Sequence, residues 1–156
     1  MGEEKKVVDR FRSRSEHTLD DKGRLNFPSR FRQVISTYES SVLMVTTWGK
    51  HLRAYPVSEW EKLENKLHTQ GREQPGLVSF VRLVVSGSTK CSLDKQGRLL
   101  IPVSLRNETN IDKDVVLTGM VDWVEIWGKD AWRIEHQAAL DNFDSYEESL
   151  AKLGIF

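Results

Sequence analysis

The 156-residue sequence contains one cysteine, Cys91, and that scarcity excludes two classes of protein at once. No intrachain disulfide can form, and no multi-cysteine zinc site can be assembled. No apolar run approaches the roughly 20 residues that a membrane-spanning helix needs. The opening residues, MGEEKKVVDRFRSRSE, lack the apolar stretch of a secretory signal, so a cytoplasmic location is expected. A phosphate-cradling glycine loop is missing as well. His17, His51, His68 and His136 show neither ligand spacing nor a partnered nucleophile, and each reads as a surface or loop imidazole. The expectation is therefore no enzyme, no metal and no cofactor.

Net charge is absent too, with 23 basic and 23 acidic side chains, but the signs are unevenly placed. Residues 5–32 hold nine Lys/Arg against four acids, residues 82–106 hold five against one, and residues 107–156 hold four against eleven. Screening limits exposed charges to a reach of about 8–10 Å, so local potential decides where an anion docks. Two basic segments and an acidic final third make a polar molecule.

The basic segments contain an internal repeat. Leu19 to Arg32 reads LDDKGRLNFPSRFR and Leu93 to Arg106 reads LDKQGRLLIPVSLR, with seven of the fourteen positions identical. Downstream, Val42 to Val45 answers Val115 to Leu117, and Leu52 to Trp60 answers Val124 to Trp132. In each copy a strand leads into a turn, Asp20-Asp-Lys-Gly23 or Asp94-Lys-Gln-Gly97, where the glycine takes positive φ and the Asp carboxylate accepts backbone N–H groups. Phe11 to Leu19 reads as the first strand. Leu25–Phe27 and Leu99–Ile101 are too short to persist unless something pairs with them. Pro28 and Pro102 open short helices, two further strands follow, and Ser58 and Asp130 are expected to cap helices carrying Trp60 and Trp132.

A unit of about 45 residues is too small to bury a good core and leaves strand edges open. The expected fold is α+β, mainly β: two βαββ repeats interleaved into one barrel about a pseudo-two-fold axis, with flanking helices. The expected divisions are repeat 1 at 14–61, a helical connector at 62–87, repeat 2 at 88–131, and an acidic helical segment at 132–156.

The paired motifs, with Tyr55-Pro56, Cys91 ahead of the second motif, and Trp127 with Trp132, resemble the two signature copies of the MraZ family. The resemblance spans roughly residues 10–140. It implies an AbrB-like and MazE-like swapped-hairpin, double-split barrel. It also implies a transcriptional repressor of the bacterial division and cell-wall gene cluster. Such a regulator acts in the cytoplasm at the nucleoid and binds direct repeats upstream of its own operon as a ring of protomers. The family's Asp-x-x-x-Arg signature falls on Asp20 with Arg24 and on Asp94 with Arg98.

DNA binding requires cations for phosphates and a few rigid donors for base edges. Arg24 and Arg98 follow their glycines directly and suit a bidentate contact to guanine. Lys22 and Lys95 lie in the turns, where a point charge suits a phosphate. Asp20, Gly23, Asp94 and Gly97 are expected to orient the motifs. Arg10, Arg12 and Arg14 alternate, so they are expected on one strand face beside the first motif, contacting phosphate. Without the resemblance, a plain salt bridge between each Asp and Arg is as good a reading. Arg30, Arg32 and Arg106 read as a solvated helix face, and the tryptophans as core or subunit contacts. The partners expected are double-stranded DNA and further copies of the chain, with no membrane and no small-molecule substrate. The competing function is an antitoxin-like protein-binding module, for which residues 141–156 would be the tail.

Overall fold

The structure, a computed structural model, describes residues 10–156; the lead Met1–Val8, with Lys5 and Lys6 of the first basic segment, lies outside the described residues. The first copy runs β1 (Arg14–Thr18), β2 (Arg24–Asn26), α1 (Ser29–Ser36), β3 (Val42–Thr47), β4 (Leu52–Pro56) and α2 (Val57–Lys66). A wide π-type turn over Leu67–Gly71 leads to α3 (Val78–Ser86). The second copy repeats the order as β5 (Thr89–Ser92), β6 (Arg98–Leu100), α4 (Val103–Glu108), β7 (Asp114–Gly119), β8 (Val124–Gly128) and α5 (Lys129–Asp141). The final helix is α6 (Phe143–Lys152).

The copies exchange strands. One antiparallel sheet has the order β1-β7-β8-β4-β3-β5, which reads the same in reverse when the copies are interchanged. β1 of the first copy pairs with β7 of the second, and β5 pairs with β3. The three-residue strands β2 and β6 find in each other the partner that neither has in its own copy. Leu25 faces Leu99 in that ribbon, and Arg53 faces Glu125 where β4 meets β8, so the pseudo-two-fold axis passes through both pairs.

The fold is α+β and built on a strand-rich antiparallel sheet, as the repeat implied, but the barrel is not closed. β1 and β5 end the six-stranded sheet, and β2–β6 forms a separate ribbon. The tight turns at Gly23 and Gly97 send the chain away from the sheet after one strand, which splits the wall.

Between ribbon and sheet lies the main core: Leu25, Phe27, Phe31, Leu99, Ile101 and Leu105 pack on Val45, Leu52, Leu117 and Ile126. Each such side chain contributes about 1.5–3 kcal/mol of burial. The other sheet face carries a second cluster, in which Met44, Tyr55 and Trp60 are covered by Val84 of α3. A hydrogen bond of 2.6 Å from Thr46 Oγ1 to the Val84 carbonyl fixes that cover.

Several local expectations need correction. Ser13 has φ 77°, which interrupts the strand expected from Phe11 and leaves Phe11 in an isolated bridge to Val121. α2 starts at Val57, with Pro56 as its N-cap, so Ser58 sits inside the helix; α5 has Gly128 at its N-cap, and Asp130 sits in the first turn. The divisions at 61/62 and 131/132 fall within α2 and α5. The connector is helical over Val78–Ser86, although π-type and irregular turns precede it.

Candidate nucleic-acid interface

The two turns are built alike. The Gly23 N–H donates to the Asp20 carbonyl at 2.9 Å, and the Asp20 N–H to the Arg24 carbonyl at 3.1 Å. In the other copy the Gly97 N–H donates to Asp94 and the Asp94 N–H to Arg98, both at 2.9 Å. Each loop is thus a three-residue hairpin whose glycine supplies the positive φ, 86° at Gly23 and 76° at Gly97. Asp20 Oδ1 accepts the N–H groups of Lys22 and Arg24 at 3.0 and 2.9 Å, while Oδ2 takes Arg24 Nε at 2.5 Å. Asp94 repeats this with the N–H groups of Gln96 and Arg98 at 2.8 and 2.9 Å and with Arg98 Nε at 2.9 Å. The Arg24 N–H, with the side-chain and Lys22 N–H donors behind it, holds the Asp20 carboxyl down at about 2. The Arg98 N–H lowers Asp94 in the same way. Both are therefore ionised at neutral pH.

These carboxylates grip Nε and leave the forked end of each guanidinium without a hydrogen-bond partner among the described residues. Arg24 and Arg98 lie on the outer face of the ribbon, because Leu25 and Leu99 between them point to the core. In the register Arg24↔Leu100 and Asn26↔Arg98 the two arginines are diagonal neighbours, with Cα atoms roughly 7–8 Å apart. The ribbon continues to the turns, since Phe27 N–H donates to the Gly97 carbonyl and Ile101 N–H to Gly23, each at 3.0 Å. The turns therefore stand at opposite ends of the ribbon, roughly 13 Å apart along it at about 3.3 Å per residue. Lys22 and Lys95 are exposed in them. A two-stranded face with arginines at its centre and lysines at its rims is of a size to enter a major groove about 12 Å wide, flanked by phosphates.

Sequence reasoning missed two members of this site. Arg32 and Arg106 do not form a loose solvated face. Arg32 donates through Nε to the Phe27 carbonyl and lies over Gly97 of the other copy, where an added Cβ would come within 2.6 Å of Arg32 Cδ. Arg106 donates to the Ile101 carbonyl and lies over Gly23, where a Cβ would come within 2.8 Å of its guanidinium. Each copy thus braces the turn of the other. The signal was present, because this Arg is the last of the seven identities in the repeat.

Arg10, Arg12 and Arg14 are not beside the first motif on one strand face. The turn at Ser13 separates them, and β1 carries Arg14 roughly 20 Å from Asp20. Arg14 packs over the Trp132 ring at 5.5 Å and meets His136 Nδ1 at 3.0 Å. Arg10 and Arg12 are exposed. Arg30 donates to the Arg14 carbonyl at 2.9 Å.

His51 lies in the loop between β3 and β4 but not at the surface. It is buried, stacked on Trp127 at 4.2 Å, and its Nε2 lies 3.3 Å from Glu125 Oε2. Trp127 Nε1 donates to Glu125 Oε1 at 3.0 Å, and Arg53 is sandwiched between Trp48 and Trp123 at 3.8 and 4.6 Å. Burial opposes the charge on Glu125, but His51 and the indole N–H groups of Trp127 and Trp123 outweigh it and hold the carboxyl at about 2. Cys91 is buried, which raises its thiol to about 11, so it is no ready nucleophile. Among the described residues no group of three or more His, Cys, Asp or Glu side chains could hold a metal, and no helix is long and apolar enough to cross a membrane.

Two interleaved copies, each presenting an Asp-clamped arginine on a shared ribbon, define a duplicated swapped-hairpin protein. The family model that matches the chain describes the MraZ protein as antitoxin-like and covers residues 11–77 and 84–153. The chain belongs to the MraZ family. It is 40% identical over 145 residues to a protein of Syntrophobacter fumaroxidans named "Transcriptional regulator MraZ", covering 93% of this chain and 97% of that one. A protein of the same name from Desulfitobacterium hafniense is 44% identical over 140 residues, 89% of this chain and 95% of the relative. Another from Moorella thermoacetica is 38% identical over 141 residues, again 89% and 95%.

Proposed function

We propose that the chain is a cytoplasmic, nucleoid-associated transcriptional repressor that reads DNA through the β2–β6 ribbon. It would bind direct repeats upstream of its own operon as a ring. The observation that carries this is the placement of Arg24 and Arg98 on one outward face, each held by an ionised Asp through Nε, with the forked end of the guanidinium given no hydrogen-bond partner by the described residues. That end can donate two parallel bonds to guanine O6 and N7. Lys22 and Lys95 supply phosphate contacts at the rims, and Arg10 and Arg12 would reach backbone further along the duplex. One ribbon gathers few phosphates, so useful affinity needs several protomers on repeated sites.

Self-association is supported by apolar surface that folding leaves bare. The connector covers Trp60 in the first copy, whereas its counterpart Trp132 is only half-buried and Ile134 on the same helix is exposed. α6 packs little of itself away: Phe143 and Tyr146 on it and Leu153 at its C-cap are exposed. Leu77, Phe80 and Leu83 make a second exposed group on and before α3. Residues 141–156 carry four acids and one lysine, and residues 62–90 carry five Lys/Arg and two acids. The acidic helix of one copy and the basic connector of the next are therefore complementary, which is how a head-to-tail ring would close. Trp60, once a candidate subunit contact, is taken up inside the protomer.

The test is a gel-shift titration on a duplex carrying the direct repeats upstream of the operon. Arg24→Ala or Arg98→Ala should abolish the sequence-specific shift with circular dichroism unchanged, and wild-type affinity should fall steeply with salt. If both variants bind like wild type, the interface is elsewhere. An antitoxin acting through its tail would instead keep DNA out of the assay and lose partner binding when residues 141–156 are removed.

A further inference from the structure

The outer face of the ribbon does not obey the symmetry of the fold. Positions 26 and 100 are related by the same offset as Arg24 and Arg98, yet one is Asn26 and the other Leu100. Leu100 is 54% exposed while Leu99 beside it is in the core, so folding gives no reason for an apolar side chain there. The register makes the difference specific, because Leu100 is the cross-strand neighbour of Arg24 and Asn26 that of Arg98. Such neighbours stand about 4.5–5.5 Å apart at Cβ. Successive bases of one strand rise about 3.4 Å, so each pair of side chains spans adjacent bases.

Resting on the DNA reading above, we propose that Leu100 and Asn26 are specificity-determining residues that read different bases beside two equivalent guanines. Leu100 packs on the C5-methyl of a thymine adjacent to the guanine held by Arg24. Asn26 takes the N7 and N6–H edge of an adenine adjacent to the guanine held by Arg98. The amide can donate and accept at once, as that edge requires; the isobutyl group can be matched only by a methyl. The turns break symmetry as well, with Asp21-Lys22 at one end and Lys95-Gln96 at the other. A symmetric ribbon would fit a duplex equally well in both directions. This one has a front and a back, and so fixes how each protomer is oriented on its site.

The experiment is selection from a random duplex library with the full chain, Leu100→Asn and Asn26→Leu, after circular dichroism confirms that both exposed substitutions fold. Wild type should enrich two guanines with unlike neighbours. Leu100→Asn should move the preference beside one guanine from thymine to adenine by about tenfold, leaving the other half unchanged. Asn26→Leu should do the converse at the second guanine. On the selected site, replacing that thymine by deoxyuridine removes only the methyl; it should weaken wild type several-fold and leave Leu100→Asn unaffected. If wild type selects a motif and both variants select the same one, this proposal is overturned while the DNA reading stands. If wild type selects none, both fall.

Discussion

Glu125 offers the sharpest test of how the two copies are joined. Its carboxylate lies at the axis between β8 and β4 and accepts from Trp127 Nε1 at 3.0 Å and Thr118 Oγ1 at 3.3 Å, with Trp123 Nε1 at 3.4 Å. His51 and Arg53 complete the ring at 3.3 and 3.8 Å. Its pKa drops from 4.5 to about 2 on folding. A depression of that size corresponds to about 3 kcal/mol of stability. Because the folded value is the lower one, that stability is present above about pH 4.5 and is lost as pH falls toward 2; by pH 3 roughly 60% is gone. Glu125→Gln keeps one acceptor oxygen but removes the charge and turns an amide N–H₂ toward donors. At pH 7 it should unfold in urea about 3 kcal/mol below wild type, shrinking to about 1 kcal/mol at pH 3. The assay is urea denaturation followed by tryptophan fluorescence at fixed protomer concentration across that range. A gap that does not change with pH would refute the assignment of the stability to this carboxylate, and so would a gap below about 1 kcal/mol at pH 7.

Gly97→Ala should cost about 1–2 kcal/mol for a side chain at φ 76° and should also weaken DNA binding, because the new Cβ displaces Arg32. Gly49→Ala, at φ 87° with nothing within 4 Å of the added Cβ, should show a similar loss in thermal unfolding but unchanged gel shifts. Equal binding by the two variants would remove Arg32 from the site. Phe143→Glu combined with Leu153→Glu, at side chains 60% and 74% exposed, should lower the native mass without altering circular dichroism. An unchanged native mass would move the subunit contact away from α6.

The repeat was legible because its markers are backbone requirements. Positive φ at Gly23 and Gly97 and the Asp20 and Asp94 carboxylates that cap the turns leave a signature independent of the rest of the chain. That β2 and β6 each need a partner followed from their being too short to stand alone; that they are each other's partner emerged only in the structure. What sequence could not give was decided across the interleaved copies. Arg32 and Arg106 look like solvated helix residues until the other copy's glycine is placed beneath them. Trp60 and Trp132 occupy matched positions, but α3 buries Trp60, whereas Trp132 has only Arg14, Trp127 and His136 against it and stays half-buried. Arg10, Arg12 and Arg14 alternate in sequence, and one positive φ at Ser13 was enough to undo the inference that they share a face. The apparent caps failed for a related reason, since Pro56 and Gly128 begin their helices before Ser58 and Asp130 are reached.

The axis also explains what duplication within one chain adds. In a true homodimer of either copy, two-fold symmetry would place a residue opposite itself, Arg53 against Arg53 or Glu125 against Glu125. Like charges directly opposed across strands are destabilising, and more so in a half-buried setting. Here the fused chain puts Arg53 against Glu125 and surrounds them with two symmetry-related aromatic pairs, Tyr55 with Trp123 at 5.5 Å and His51 with Trp127 at 4.2 Å. Association of a copy with its own kind in another chain would forfeit that pairing. The same departure from symmetry recurs on the opposite side of the core at Asn26 and Leu100. Once the two halves no longer have to be identical, one end of the axis can be spent on choosing the correct partner and the other on distinguishing the two directions of a ligand. Both follow from a single covalent link between copies that otherwise fold as a symmetric pair.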